Sequence, residues 1–194
     1  MKFEEIQKEL KKELKPSRYK HTMGVVETAG KLAEIHSYDV GKARLAALLH
    51  DCAKEIPDEQ KFSMCREYGV SVTDAERANP PLLHAKCGAL VAEYKYGIGD
   101  EEILHAIRVH TTGCIHMSLL DEIIFVADYI EPGRDQAPHL KELRKLAQKD
   151  LEQTTYRIMA DTVCYLQSSP ERAQMMDPAT YQAYLYYKEC CASV

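Results

Sequence analysis

Four histidines and two aspartates are the residues of this chain best suited to chemistry: His21, His50, Asp51, His84, His110 and Asp128. Each falls on the inward face, or at the start, of a stretch with helical spacing. His50 follows Ala43, Ala46 and Ala47 by seven, four and three residues and shares their small-residue face. His21 shares a face with Val25 and Thr28, and His110 with Ile103, Ala106 and Ile107. Asp128 closes the run Ile123-Ile124-Phe125-Val126-Ala127, which is strongly apolar and free of Arg and Lys. A carboxylate ionised on a buried face costs several kcal/mol unless it is paired or bound to metal. Taken singly, each His reads as a hydrogen-bonding core residue and each Asp as a helix cap or ion-pair partner. Their coincidence, including the adjacent His50-Asp51, points to a metal centre, and the donor set suits iron, manganese or zinc. On one helix His50 and Asp51 would stand about a quarter turn apart, both able to face one metal cluster.

The elements that must position these groups read as helix after helix. Residues 3–14 carry a charged and apolar helical pattern that Pro16 stops, and Ser17 can cap a second helix to about His36. Asp39 can cap a third helix reaching about Ala53, and residues 58–68 form a short one ended by Gly69. A loop with Pro80 and Pro81 leads into a helix from about Leu83 to Tyr96, ended by Gly97. Asp100 caps the next, to about His110, and Ser118 with Asp121 makes a capping box for a helix through Ile130. Further helices are expected around 138–147, 150–168 and 178–190. Strand-like alternation is scarce and no Asn-Gly or Asp-Gly hairpin turn occurs. The expected fold is all-α, a helical bundle of one domain over 1–194, with C-terminal helices from 138 to 190 packing on the part that carries the site.

Composition excludes some functions. The formal charge of −5, from 25 basic and 30 acidic residues, argues against a broad nucleic-acid surface but leaves room for a small phosphorylated substrate. The seven Cys form no CxxC pair, which fits reduced thiols better than a disulfide framework or a zinc site. The Lys- and Glu-studded first 15 residues do not read as a signal peptide, and no apolar run is long enough to span a membrane. A soluble, cytoplasmic protein is expected.

The order His21, His50-Asp51, His84, His110, Asp128 resembles the HD-domain superfamily of metal-dependent phosphohydrolases. Its minimal pattern is a His, a His-Asp pair and a distal Asp; the intermediate His84 and His110 match the branch that binds two metals. Several stretches resemble, more closely, the bacterial family of symmetrical diadenosine tetraphosphate hydrolases. They are Arg18-Tyr19-Lys20-His21-Thr22, Leu48-Leu49-His50-Asp51-Cys52-Ala53-Lys54, Leu83-His84, Val109-His110-Thr111-Thr112-Gly113 and Ala127-Asp128-Tyr129-Ile130-Glu131-Pro132-Gly133-Arg134. The bare His-Asp dipeptide is a weak signal, whereas the six residues in this order with these flanks are a strong one. The similarity covers roughly residues 1 to 190, with its motifs in 18 to 134, and beyond them it is one of length and helicity.

The resemblance implies roles. Asp51 would bridge two metals; His21, His50 and Asp128 would complete one of them, and His84 and His110 the other. Iron is the metal implied, with manganese compatible with the donors. Two such ions about 3.5–4 Å apart generate a nucleophile from water and clamp a phosphoryl oxygen. Lys54, one turn after Asp51, and Arg134, after the Pro132-Gly133 turn, are the candidate phosphate contacts that assist catalysis; as plain surface cations they would do nothing. Thr111, Thr112 and Arg18 are further candidates for substrate binding, with helix capping the bland reading of the threonines. The implied substrate is diadenosine tetraphosphate or a related dinucleoside polyphosphate cleaved to two nucleoside diphosphates, and the implied assembly is a homodimer. Two other readings stay open: another HD-type phosphohydrolase such as a nucleoside monophosphate nucleotidase, which needs only the minimal pattern, and a non-catalytic nucleotide-binding module. A Gly-Tyr-Pro tripeptide, expected of the related cyclic-dinucleotide phosphodiesterases, is absent.

Overall fold

The structure is a computed structural model and describes residues 1–192. It is all-α: among the described residues there are twelve α-helices and no strand. They are α1 (Phe3–Glu13), α2 (Pro16–Ile35), α3 (Val40–Leu49), α4 (Asp58–Glu67), α5 (Asp74–Ala78), α6 (His84–Leu90), α7 (Glu101–Val109), α8 (Leu119–Ile130), α9 (Leu140–Leu146), α10 (Leu151–Leu166), α11 (Pro170–Ala173) and α12 (Pro178–Ala192). A 3₁₀ turn, Pro80–Leu83, leads into α6, and a π-helical turn, Val91–Lys95, extends it.

Local chemistry sets most boundaries. Asp39 accepts from Lys42 N, Asp100 from Glu102 N, and Ser118 and Asp121 close a reciprocal box, so three helix starts have the side-chain caps expected of them. Gly69 and Gly97 sit at φ +66° and +70° just past α4 and the α6 extension, a conformation that costs glycine little. Two boundaries differ from expectation. Pro16, not a capped Ser17, begins α2: a first-turn proline lacks only an N–H that would go unpaired there, and Lys15 is the capping position. The third helix ends at Leu49 instead of Ala53, because Cys52 N bonds back to Leu49 O and Lys54 N to Asp51 O in tight three-residue turns. His50 and Asp51 therefore stand just beyond α3.

One hydrophobic cluster runs from Ile6 in α1 to Tyr187 in α12. Ala43, Ala46 and Ala47, all fully buried, let α3 lie along α2. Ile123, Ile124, Val126 and Ala127 make α8 the central helix, against which α2, α7 and α10 pack. The last of these also packs along α12 and α9, so the C-terminal helices join the bundle through α8. No helix among the described residues is long and apolar enough to cross a membrane.

That C-terminal contact holds a titratable pair. Tyr187 Oη donates to Glu122 Oε1 at 2.8 Å, and burial raises the Glu122 carboxyl to about 7 against the opposing pull of that hydrogen bond. A carboxyl whose folded pKa lies above its unfolded value of 4.5 binds more protons folded than unfolded between those two values. Its stabilisation is complete below the lower value and is lost as pH rises through about 7. Glu122→Gln keeps an acceptor for Tyr187 and removes the charge. It is expected to raise unfolding stability at pH 8 by about 1–3 kcal/mol and at pH 5 by much less. Urea titrations at both pH values check this, and an equal gain at the two would show that the charge is not the cause.

Candidate metal centre

The structure brings His21, His50, Asp51, His84, His110 and Asp128 together. His21 lies within α2 and Asp128 in the last turn of α8. His50 follows α3, His110 follows α7, and His84 is the first residue of α6. Three helix ends and two helix faces thus converge on one point. His50, Asp51, His84 and His110 are all buried, and His21 and Asp128 are partly so.

Asp51 stands between two groups of donors. Its Oδ2 lies 3.5 Å from His50 Nε2 and 3.8 Å from His21 Nε2. Its Oδ1 lies 3.2 Å from His84 Nε2 and 3.8 Å from His110 Nε2. The result is two clusters that share one carboxylate, His21–His50–Asp51 and Asp51–His84–His110, each with donor atoms within 4.8 Å of one another. Asp128 joins the first through Oδ1, 3.0 Å from His21 Nε2 and 4.0 Å from His50 Nε2.

The hydrogen bonds behind the rings fix which nitrogen faces in. His50 Nδ1 lies 2.7 Å from Ala47 O, His84 Nδ1 2.6 Å from Pro81 O, and His110 Nδ1 2.7 Å from Ile107 O. A carbonyl only accepts, so each Nδ1 carries a proton and each Nε2 of a neutral ring presents a lone pair to the centre. His84 Nε2 and His110 Nε2 are 3.1 Å apart, and two lone pairs at that distance require a cation or a donor between them. Further, His21 Nε2, His50 Nε2 and Asp51 Oδ1 are buried with no hydrogen-bond partner. Buried polar atoms left unpaired are costly. Nitrogen and carboxylate donors that converge, those of His21, His50 and Asp51 without a partner and those of His84 and His110 met by the Lys54 ammonium and the Thr111 hydroxyl, fit a pair of metal ions in number and type.

The electrostatics agree at His84 and His110, whereas at His50 the two aspartates favour the protonated ring. Burial and the neighbouring His84 and His50 push His110 down to about 3, which keeps it neutral. His84 is lowered chiefly by burial, with Lys54 adding to the effect against Asp51. Burial alone would lower His50, but Asp51 and Asp128 outweigh it and raise the group. Both aspartates resist burial and stay well below the ordinary carboxylate range, Asp51 through His50, His84 and Lys54, and Asp128 through His21 and His50. The centre is a buried negative field with neutral imidazoles on its far side.

The candidate substrate contacts divide. Lys54 Nζ stands 3.0 Å from His84 Nε2 and 3.6 Å from Asp51 Oδ1, and burial lowers its pKa although Asp51 opposes that. Arg18 reaches Asp51 Oδ2 at 2.7 Å, and Arg134 reaches Asp128 Oδ1 at 3.1 Å. Thr111 Oγ1 lies 3.2 Å from His84 Nε2 and 3.1 Å from His110 Nε2. These four ring the centre. Thr112 does not join them, because its hydroxyl donates to Gly113 O. A cleft of about 310 Å³ lined by Arg18, His21, Glu131 and Arg134 opens the first cluster to solvent. Glu131 was not a candidate from sequence: it is buried, with Oε1 3.2 Å from His21 Nδ1. Its place in a Glu-Pro-Gly segment reads as a solvent-facing turn, and only the fold brings it back to α2.

Comparison with known proteins gives the family. The HD domain family model matches residues 18–133, the stretch that supplies all six donors. The chain is 41% identical over 176 residues to the symmetrical bis(5'-nucleosyl)-tetraphosphatase of Halalkalibacterium halodurans, covering 91% of this chain and 93% of that protein. It is 39% identical to the protein of the same description from Bacillus subtilis, covering 90% and 91%. A crystal structure of an HD superfamily hydrolase described as involved in NAD metabolism, from Clostridium acetobutylicum, superposes with a TM-score of 0.91 at 38% identity over 98% of each chain. The chain belongs to the HD domain family and, within it, to the family of the symmetrical bis(5'-nucleosyl)-tetraphosphatases.

Proposed function

We propose that the protein is a dimetal phosphohydrolase that cleaves diadenosine tetraphosphate, and related dinucleoside polyphosphates, at the central anhydride to give two nucleoside diphosphates. The observation that carries this reading is the identity near 40% over nine-tenths of the chain to proteins of that activity, with all six donor residues convergent here. Iron or manganese fills the two positions, since both suit mixed imidazole and carboxylate donors. The working assembly is a homodimer in the cytoplasm.

A metal pair held by these residues would supply a nucleophile from water and a hold on a phosphoryl oxygen. The chain's own groups do the rest. His21, His50 and Asp128 would hold one position and His84 and His110 the other, with Asp51 shared between them. Lys54, Arg18 and Arg134 have their cationic ends at the carboxylates of the centre, where a polyphosphate would bring its charge. An incoming phosphate chain can take those donors over from Asp51 and Asp128, and donors aimed at developing negative charge lower the barrier. The leaving nucleoside diphosphate is weakly basic and needs little help from a general acid. Thr111 adds a hydroxyl beside His84 and His110.

The test is turnover of diadenosine tetraphosphate by protein loaded with manganese or with ferrous iron, the products resolved by anion exchange. ADP as sole product is expected. Equal AMP and ATP would reject symmetrical cleavage while leaving a phosphohydrolase. No product from a chain holding two metals would turn the assay to nucleoside monophosphates.

A further inference from the structure

Three of the four inward-facing histidines are oriented alike, each donating Nδ1–H to the carbonyl three residues before it. His21 is the exception. The carbonyl three residues before it, Arg18 O, accepts the Thr22 hydroxyl at 3.0 Å, and His21 Nδ1 instead meets Glu131 Oε1 at 3.2 Å. The Glu131 carboxylate is fixed on every side. Its Oε2 accepts Gly133 N–H at 2.6 Å, and it fills a notch over Gly24, where a Cβ would lie only 2.4 Å from Oε2. Arg144 of α9 donates Nε–H to Ile130 O and Nη2–H to both Glu131 O and Arg134 O, each at 2.8 Å. The backbone on both sides of the carboxylate is therefore tied down.

We infer that Glu131 is a positioning residue that makes the two metal positions unequal: it orients His21 and strengthens it as a donor, so that the ion at His21, His50 and Asp128 is held more tightly because of it. A carboxylate behind an imidazole fixes the tautomer and raises the basicity of the nitrogen that faces the metal. Behind the rings of the His84–His110 position stand the carbonyls of Pro81 and Ile107 instead, and the Lys54 ammonium lies 3.4 Å from His84 Nδ1. The same carboxylate, through Gly133, joins His21 to the turn that carries Arg134, so metal retention and an arginine at the mouth of the site share one support.

This inference rests on the two-metal reading, and its test separates the two. Manganese is titrated into metal-stripped protein and the free ion counted by its electron paramagnetic resonance signal. The unmodified chain is expected to take up two ions. Glu131→Gln, which keeps the side-chain volume but places an amide where a carboxylate must accept two N–H groups, is expected to weaken one ion about 10- to 100-fold and to leave the other within about twofold. Because the effect runs through His21, adding Glu131→Gln to His21→Ala should change affinity no further. Gly24→Ala, which displaces the carboxylate without altering it, should reproduce the loss at one ion. Unchanged affinities in Glu131→Gln, or a full effect that persists beside His21→Ala, would overturn the positioning role. Uptake of fewer than two ions by the unmodified chain would instead count against the two-metal reading itself.

Discussion

Asp51→Ala is expected to reduce turnover of diadenosine tetraphosphate by at least about a thousandfold and to strip metal from both positions together. Among the described residues no other side chain has one oxygen facing each histidine pair: Oδ2 toward His21 and His50, Oδ1 toward His84 and His110. Losing it removes a donor from both clusters. It also leaves Arg18 and Lys54, which now face its two oxygens, pointing cations at a pocket of imidazoles. Breaking a buried ion pair from one side costs about 3–5 kcal/mol, so the alanine variant will also unfold more easily. Asp51→Asn separates the effects: it keeps the volume and a neutral oxygen, loses the charge, and should fold while holding little metal and turning over little substrate. Metal analysis, thermal melts and turnover on the same preparations decide the matter. An Asp51→Ala protein with full activity would end the bridging role.

The parts of this architecture legible in the sequence are those set by neighbours in the chain. Asp39, Asp100 and Ser118 cap helices because a short oxygen-bearing side chain reaches N–H groups two or three residues on, whatever else the fold does. The order of His and Asp residues is legible for a different reason: metal donors must be those residue types, and their inward faces follow from helical spacing. What was not legible depends on contacts between distant segments. Helices of four and five residues, Pro170–Ala173 and Asp74–Ala78, are too short for a periodic pattern to register. The turns after Leu49 shift His50 and Asp51 off a helix on which spacing would place them, yet both still face the centre. Glu131 meets His21 across 110 positions of sequence, and no local signal marks that pairing. Thr112 shows the converse, since adjacency to His110 and Thr111 does not aim its hydroxyl at the site.

His110→Ala should have the second-largest effect, and its form tests what kind of group His110 is. Burial and the adjacent His84 and His50 hold it near 3, so it is neutral throughout the range in which the enzyme would work. Its Nδ1 proton is committed to Ile107 O at 2.7 Å, which leaves Nε2 as a permanent lone pair. A group whose protonation does not change near neutral pH is a poor general acid or base, since those tasks need a pKa near the working pH. It is well suited to hold a cation. The substitution should therefore lower metal content from two ions per chain to one and reduce turnover by at least about a hundredfold. The pH profile of the residual activity should keep its shape. Loss of one limb of that profile, with both ions retained, would make His110 a proton carrier and remove it from the donor set. Stability should fall by only about 1–3 kcal/mol, the cost of a buried carbonyl that loses a donor. His21→Ala offers the matching experiment from the other side: if the pair is real, it weakens the other ion, which His50, Asp51 and Asp128 still hold, and leaves the His84–His110 ion in place.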